Sequence, residues 1–403
     1  MFQKLKNIYH LLRALIANIY FGFPSRRLKV VGVTGTDGKT TTTHLIYHIL
    51  KETDHKVSMI STVFAKIGKQ EYDTGFHVTT PDAFLIPKYL NMAVSLGQEY
   101  FVLEVTSHRL DQNQLFGTSF EIGVITNITH EHLDYHKTYK NYVKAKEKLL
   151  SMAKIGIINE DDESFKYLSQ KSKVKSQNYN SKVKSIKRIP NLTLFNQCNY
   201  SAAYTVCKQL GLSDNQILTA IKTFKLPKGR LEIVYDKEFK VIIDFAHTPN
   251  AFHQLLPEIK KLFFGQFGRL IHVFGSAGLR DVSKRPLMGK ASGQYADLVI
   301  LTEEDYRIEN PNQISSAIAS GLEKEGFRRV YYNFSKNYSK QSYFVILNRQ
   351  KAINTAIKLA RKGDVVIITG KGHEKSLCRG KIEYPWDEYK AVVKALKILN
   401  FKS

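Results

Sequence analysis

The alternation of apolar and polar positions divides the chain into three stretches. Between residues 3 and 21, Leu5, Ile8, Leu12, Leu15, Ile16 and Ile19 recur at roughly helical spacing, interrupted by Lys4, Lys6 and Arg13. This predicts a basic amphipathic helix. Such a helix either packs on the domain that follows or lies on an anionic membrane surface. From Leu28 the pattern becomes apolar run, glycine loop, helix: Lys29–Val33, then Thr34–Lys39, then Thr40–Leu50. Apolar strand candidates follow at 100–105, 123–126 and 155–158, separated by helix-like segments, which predicts a parallel sheet of α/β type. The Lys/Ser-rich stretch near 171–187 reads as irregular and exposed. A proline–glycine joint, Pro227-Lys228-Gly229, opens a second α/β series with strand candidates at 241–245, 270–274, 298–302, 329–332 and 365–369. The expected organisation is a helical extension (1–27), a central domain (28–228) and a C-terminal domain (229–403), without internal repeats.

Composition narrows the function. A chain of 403 residues with 43% hydrophobic and 24% charged residues suits a globular protein of two or three domains. The formal net charge of +24 attracts polyanions. No aromatic pattern of the RNA-binding kind accompanies it, so nucleic acid is not an expected partner. Three widely spaced cysteines, Cys198, Cys207 and Cys378, form neither a disulfide framework nor a zinc knuckle and suit a reducing compartment. With no apolar run of membrane-spanning length and no signal-peptide cleavage pattern, a cytoplasmic protein is expected.

The strongest chemical signal is Gly32-Val33-Thr34-Gly35-Thr36-Asp37-Gly38-Lys39-Thr40-Thr41. Its glycines let the backbone turn tightly and present N–H groups to phosphate oxygens, and the helix that follows adds its positive dipole end. Lys39 would reach the terminal phosphates of ATP, and the Thr40 or Thr41 hydroxyl would meet Mg²⁺. Val33 at the first glycine position separates it from a strict Walker A loop. Glu104, at the end of a strand candidate, is suited to holding Mg²⁺ through hard oxygen, with His132 as a second ligand. His132 and His136, four residues apart, also leave a zinc reading open, although no cysteine or carboxylate pattern completes it.

These segments together resemble the Mur ligase family, and within it the MurE type. Thr34 to Thr41 is similar to the family's phosphate loop, which folylpolyglutamate synthases share. Glu104-Val105-Thr106-Ser107-His108 and Asn127-Ile128-Thr129-His130-Glu131-His132-Leu133-Asp134-Tyr135-His136 resemble its next two motifs. In the first, Thr106 replaces a serine; in the second, Glu131 replaces an aspartate. The resemblance implies a central P-loop-like ATPase domain and a C-terminal Rossmann-like domain. The implied activity is ATP-dependent amide bond formation through an acyl phosphate in peptidoglycan precursor synthesis. It also implies that Lys146 is carbamylated by CO₂, giving a carboxylate-like group that helps organise Mg²⁺ with Thr40, Glu104 and His132.

The remaining roles follow from the same resemblance. The implied nucleotide contacts are Gly35, Thr36, Asp37, Gly38, Lys39, Thr40, Thr41, Asn196 and Asn199, then Arg230, Asp244 and His247. Thr79, Thr80, Ser107 and Gln112 would contact a muramyl-peptide acceptor. An arginine that the family carries at this turn is Gln114 here, and a neutral amide does not replace a bidentate anion contact. Arg280, Asp305, Arg307, Gly370 and Glu374 would hold the incoming amino acid, a diaminopimelate, lysine or similar diamino acid. About thirty residues precede Val31, where the family carries a uridine-nucleotide-binding domain. The acceptor is therefore expected to have its UDP bound elsewhere, to be lipid-linked, or to be a different carboxylate. A monomer is expected, working in a cleft between its two larger domains.

Overall fold

The computed structural model describes residues 2–73, 80–129, 133–169, 175–190, 192–263, 268–331, 338 and 340–400. The chain divides into two compact units, Met1–Pro227 and Lys228–Ser403.

The first unit opens with helix α1 (Phe2–Tyr20) and a 3₁₀ turn, Pro24–Arg27. Its strands are β1 (Lys29–Thr34), β2 (Val57–Ile60), β3 (Ala65–Ile67), β4 (Gln70–Tyr72), β5 (Tyr100–Glu104), β6 (Phe120–Ile125), β7 (Ala153–Asn159) and β8 (Lys175–Tyr179). The helices after α1 are α2 (Lys39–Glu52), α3 (Leu85–Ser95), α4 (Ser107–Asp111), α5 (Leu133–His136), α6 (Tyr139–Ser151), α7 (Phe165–Leu168), α8 (Lys184–Lys187), α9 (Leu194–Gln209) and α10 (Asp214–Thr223). The sheet runs β4-β3-β2-β5-β1-β6-β7-β8. From β2 to β8 it is parallel; the β3–β4 hairpin adds an antiparallel edge. Apolar side chains on both faces of β1 explain its unbroken Val-Val-Gly-Val run, as expected of a sheet covered on both sides. One face packs with Leu45, Ile46 and Ile49 of α2 and Val206 of α9. The other packs with Leu90 of α3 and Leu149 of α6.

The stretch expected to be irregular near 171–187 contains β8 and α8. The Lys-Ser-Gln-Asn-Tyr sequence of β8 has no apolar alternation. It forms a strand because the edge of β7 supplies backbone partners and Tyr179 is buried.

The second unit has β9 (Glu232–Asp236), β10 (Lys240–Asp244), β11 (Leu270–Phe274), β12 (Leu298–Leu301), β13 (Arg328–Arg329), β14 (Ser342–Val345), β15 (Val365–Thr369), β16 (Ser376–Arg379) and β17 (Ile382–Pro385). Between them lie α11 (Pro249–Phe263), α12 (Lys284–Gly293), α13 (Pro311–Lys324), α14 (Arg349–Leu359) and α15 (Glu388–Asn400). The order β13-β14-β12-β11-β15-β10-β9 is parallel except for β9, and β16 pairs with β17 as a separate hairpin. Both main sheets are thus mostly parallel within an α/β fold, each with an antiparallel edge. Parallel strands deliver their carboxyl ends to one sheet edge, and the loops there carry the chemistry.

Candidate active site

In the first unit, the strand order reverses around β1, and the loops after β1, β5 and β6 meet there. The chain leaves β1 through Gly35–Gly38 into α2, whose first residue is Lys39. Gly38 adopts a left-handed conformation (φ 81°). A Cβ on Gly38 would lie 2.1 Å from Asn199 Oδ1, and one on Gly35 would lie 1.8 Å from Thr126 Oγ1. Only glycine permits both approaches. The loop is latched from the end of β6. Thr126 Oγ1 (2.7 Å) and Asn127 Nδ2 (3.2 Å) both donate to Asp37 O, while Asn127 Oδ1 accepts from Asp37 N (2.8 Å). Thr36 N donates to Asn127 O at 2.9 Å, and the Thr36 hydroxyl pairs with Tyr142 at 3.2 Å. Thr41 is buried in the first turn of α2. Asn199 lies against this loop, and its Nδ2 donates to Asn196 Oδ1 at 3.1 Å.

Two lysines converge on one carbonyl. Lys39 Nζ donates to Gly35 O (3.0 Å) and Thr36 O (2.6 Å), and Lys146 Nζ donates to the same Gly35 O at 2.6 Å. Lys146 comes from α6, is 1% exposed, and holds its ammonium 4.6 Å from the Tyr142 ring centre. Two ammonium groups on one oxygen, beside a helix N-terminus, give a strongly anion-attracting corner.

Glu104, 1% exposed, accepts hydrogen bonds from Thr40 Oγ1 (3.0 Å), Thr62 Oγ1 (2.8 Å) and Thr62 N (2.9 Å). A buried carboxylate touching a helix-N-terminal threonine hydroxyl is a hard-oxygen donor set. It fits Mg²⁺, which takes one or two carboxylates and completes its shell with phosphate oxygens and water. Among the described residues no group of three or more His, Cys, Asp or Glu side chains could hold a metal by itself. His132 lies outside the described residues. His136 hydrogen bonds to Ser107 Oγ at 3.0 Å.

On the acceptor side, Thr79 lies outside the described residues. Thr80 Oγ1 donates to Glu104 O (2.9 Å) and accepts from Thr106 N (3.0 Å), so it braces the end of β5. Gln112 reaches Tyr135 OH (3.3 Å) and accepts from Gln114 Nε2 (2.7 Å). Gln114, where the family's arginine is absent, accepts from Arg109 Nη1 at 2.6 Å. Arg109 Nε donates to Thr80 O (3.0 Å). A guanidinium thus stands at this turn, supplied from α4. Burial pushes its pKa down, with Asp82 opposing.

In the second unit, the loops after β10, β12 and β15 gather. Asp244 is buried, accepts from Leu231 N and Ala246 N (both 2.8 Å), and has its pKa raised by burial against the pull of Arg230. Arg230 lies over the Phe245 ring (4.6 Å) and within 3.4 Å of His373 Nδ1. His247 Nδ1 approaches Phe245 O (2.9 Å), and Lys284 Nζ donates to His247 O (3.0 Å). Lys371, fully buried, bridges Asp305 (2.9 Å) and Glu374 (2.5 Å). Arg307 Nη1 donates to Gly278 O at 2.6 Å, whereas Arg280 is exposed on the neighbouring loop. Gly370 packs against Glu304, whose Oε2 is buried without a hydrogen-bond partner among the described residues. Burial raises the Glu304 pKa despite the nearby cations His247, Lys284 and Lys371. Glu304 and Lys371 adjoin Asp305 and Gly370 in sequence, and the structure adds them to that group. Thr62, Arg109 and Thr126 emerge only from packing, and Asn127, which opens a motif visible in the sequence, gains its role as a latch from the structure.

Two family profiles tile the chain: the Mur ligase middle domain over residues 33–212 and the Mur ligase glutamate ligase domain over residues 229–372. A UDP-N-acetylmuramoyl-L-alanyl-D-glutamate–2,6-diaminopimelate ligase of Aquifex aeolicus is 37% identical over 405 aligned positions, covering 94% of this chain and 80% of that protein. The chain belongs to the Mur ligase family. As such it is an ATP-dependent ligase that joins an acid to an amino acid. A second Mur ligase relative, the UDP-N-acetylmuramyl-tripeptide synthetase of Borreliella afzelii, is also 37% identical, over 95% of this chain and 80% of its own. Among solved Mur ligase structures, a UDP-N-acetylmuramoyl-L-alanyl-D-glutamate–2,6-diaminopimelate ligase superposes with a TM-score of 0.59 at 28% identity, covering 93% of this chain and 79% of that one.

Proposed function

We propose that this Mur ligase adds a diamino acid to the carboxylate of a muramyl-peptide acceptor, as a step in peptidoglycan precursor synthesis. The observation that carries the reading is the shared Gly35 carbonyl, where Lys39 and Lys146 meet beside the Thr40–Glu104 pair. The names of the relatives support the substrate class. An acceptor carboxylate oxygen attacks the γ-phosphorus of ATP, ADP leaves, and an acyl phosphate forms. Lys39 and the loop N–H groups neutralise charge developing on the terminal phosphates. Mg²⁺ bound at Thr40 and Glu104 would add its own charge to that neutralisation. The amine of the incoming amino acid then attacks the acyl carbon, and the tetrahedral intermediate expels phosphate to leave an amide. Arg307, Gly370, Glu374 and the Lys371-linked Asp305 form the amino-acid side of this reading, and Glu304 Oε2, which has no hydrogen-bond partner among the described residues, is suited to an ammonium.

Electrostatics favours carbamylation of Lys146. Two ammonium groups on one oxygen repel each other. When the neutral Lys146 amine attacks CO₂, an N–C bond forms, a proton leaves, and the repulsion becomes attraction to Lys39. Lys146→Ala is expected to lower amino-acid-dependent ADP release about a hundredfold or more, with partial recovery on adding acetate. The assay is run with UDP-linked and lipid-linked muramyl peptides against a panel of amino acids. ADP release that requires no acceptor and amino acid together, in any combination, would sink the proposed function. A fully active Lys146→Ala would sink only the carbamate.

Arg109 takes the anion contact that Gln114 does not make. Arg109→Ala should raise the acceptor KM by about tenfold to a hundredfold, the worth of a charge-assisted hydrogen bond. The KM for ATP should stay unchanged. Equal loss for both substrates would show instead that Arg109 merely braces Thr80.

A further inference from the structure

Helix α1 has two apolar faces, and only one of them is covered. Ala14, Ala17 and Asn18 are buried against the first unit. Asn18 Nδ2 donates to Phe116 O (3.0 Å), Asn7 Nδ2 donates to Asp111 O (3.1 Å), and Arg13 pairs with Asp82 at 3.3 Å. These anchors fix which way the helix is turned. On the opposite side Leu5, Ile8, Tyr9, Leu12, Ile16, Ile19 and Tyr20 are 51–74% exposed. At 3.6 residues per turn they fall in an arc of about 120°, an unbroken stripe along a helix about 28 Å long. Scattered exposed apolar residues are ordinary; a contiguous stripe of this kind marks a contact surface.

Charge says what kind of surface covers it. Lys6 and Arg13, the latter partly offset by its Asp82 partner, follow one border of the stripe on the helical wheel, and exposed Arg26 and Arg27 follow its C-terminal end in the chain. No acidic residue occurs before Asp37, whereas Lys4, Lys6, Arg13, Arg26, Arg27 and Lys29 do. A second copy of the chain would bring equally basic flanks against these, and like charges would oppose the pairing. An anionic bilayer offers the complement: acyl chains for the stripe and headgroup charge for its cationic border. Tyr9 and Tyr20 can keep their hydroxyls at headgroup depth. No helix among the described residues is long and apolar enough to cross a membrane, which leaves α1 to lie flat.

We propose that the exposed face of α1 docks the enzyme on an anionic lipid surface. The test is co-sedimentation of the full chain with vesicles of phosphatidylcholine alone or with phosphatidylglycerol added. Wild type should partition at least about tenfold more strongly onto the anionic vesicles, and high salt should weaken that preference. The double variant Leu12→Glu/Ile16→Glu should lose at least about tenfold in binding. Both side chains are solvent-exposed and neither belongs to the phosphate loop or to the acceptor and amino-acid contacts, so ADP release in lipid-free buffer and the circular dichroism spectrum should be unchanged. Lys6→Glu should give an intermediate loss on anionic vesicles only. Wild type remaining in the supernatant, or sedimenting equally with the double variant, would overturn the proposal. So would self-association in lipid-free buffer that the double variant abolishes, without vesicle binding; the stripe would then belong to a second copy. The readout is partitioning, so a wrong substrate assignment would leave it untouched.

Discussion

Lys39→Ala should leave less than about one-thousandth of the wild-type amino-acid-dependent ADP release, with the thermal unfolding of the protein little changed. The magnitude follows from position. The Lys39 ammonium reaches Gly35 O and Thr36 O at 3.0 and 2.6 Å, inside a loop pinned by Thr126 and Asn127. A phosphate entering that loop meets a charge already oriented, so no reorganisation is needed as negative charge shifts toward the leaving ADP. Stability should hold because Lys39 is only partly buried and its partners are carbonyls that water can satisfy. Lys39→Arg should not rescue the loss, since a planar guanidinium does not occupy the place of a compact ammonium. A coupled assay for ADP, alongside titration of a fluorescent nucleotide, separates lost binding from lost turnover. Activity of Lys39→Ala within tenfold of wild type would remove the catalytic role given to the loop.

What could be read from the sequence depended on how local the determining contacts are. The phosphate loop was legible because strand, glycine turn and helix are contiguous from Lys29 to Leu50. β11 and β15 were legible because each is a dense apolar run, Leu-Ile-His-Val-Phe with one histidine and Val-Val-Ile-Ile-Thr with a terminal threonine. β2 and β14 were not, because Val-Ser-Met-Ile and Ser-Tyr-Phe-Val are too short and mixed to stand out from loops. At the site, Glu104 could be picked out at a strand end, but its contacts with Thr62 span 42 positions of sequence. The absence of an arginine at Gln114 could be read directly, but the neighbour that its side chain takes instead could not. Arg109 returns the guanidinium to the same turn from five residues upstream.

The second large effect concerns Arg349, which no local pattern singles out. Its side chain is fully buried and paired with Glu388 of α15, with Nε 3.1 and 3.0 Å from the two carboxylate oxygens. Its other nitrogens donate to Glu303 O (3.1 Å) and Thr369 O (2.7 Å), the starts of the loops that carry Asp305 and Gly370. Glu388→Ala leaves a guanidinium in the core without its counter-charge, which costs about 3–5 kcal/mol. The unfolding transition of the second unit should fall by roughly 10 °C in calorimetry, while nucleotide binding to the first unit is retained. Glu388→Asp, which keeps the charge on a shorter arm, should recover part of the loss. An unshifted transition in Glu388→Ala would mean that the pair contributes little to holding this unit.

The Arg349 contacts also imply that the order of the two loops is not their own. One guanidinium joins residues 303, 369 and 388, so neither loop can keep its shape while the final helix is undocked. Amide hydrogens of the three segments should therefore exchange with solvent as one block, at a shared rate set by the opening of that helix. If the proposed assignment of these loops to the incoming amine holds, warming would loosen that grip before the one on nucleotide, and the enzyme would fall silent while still holding its fuel.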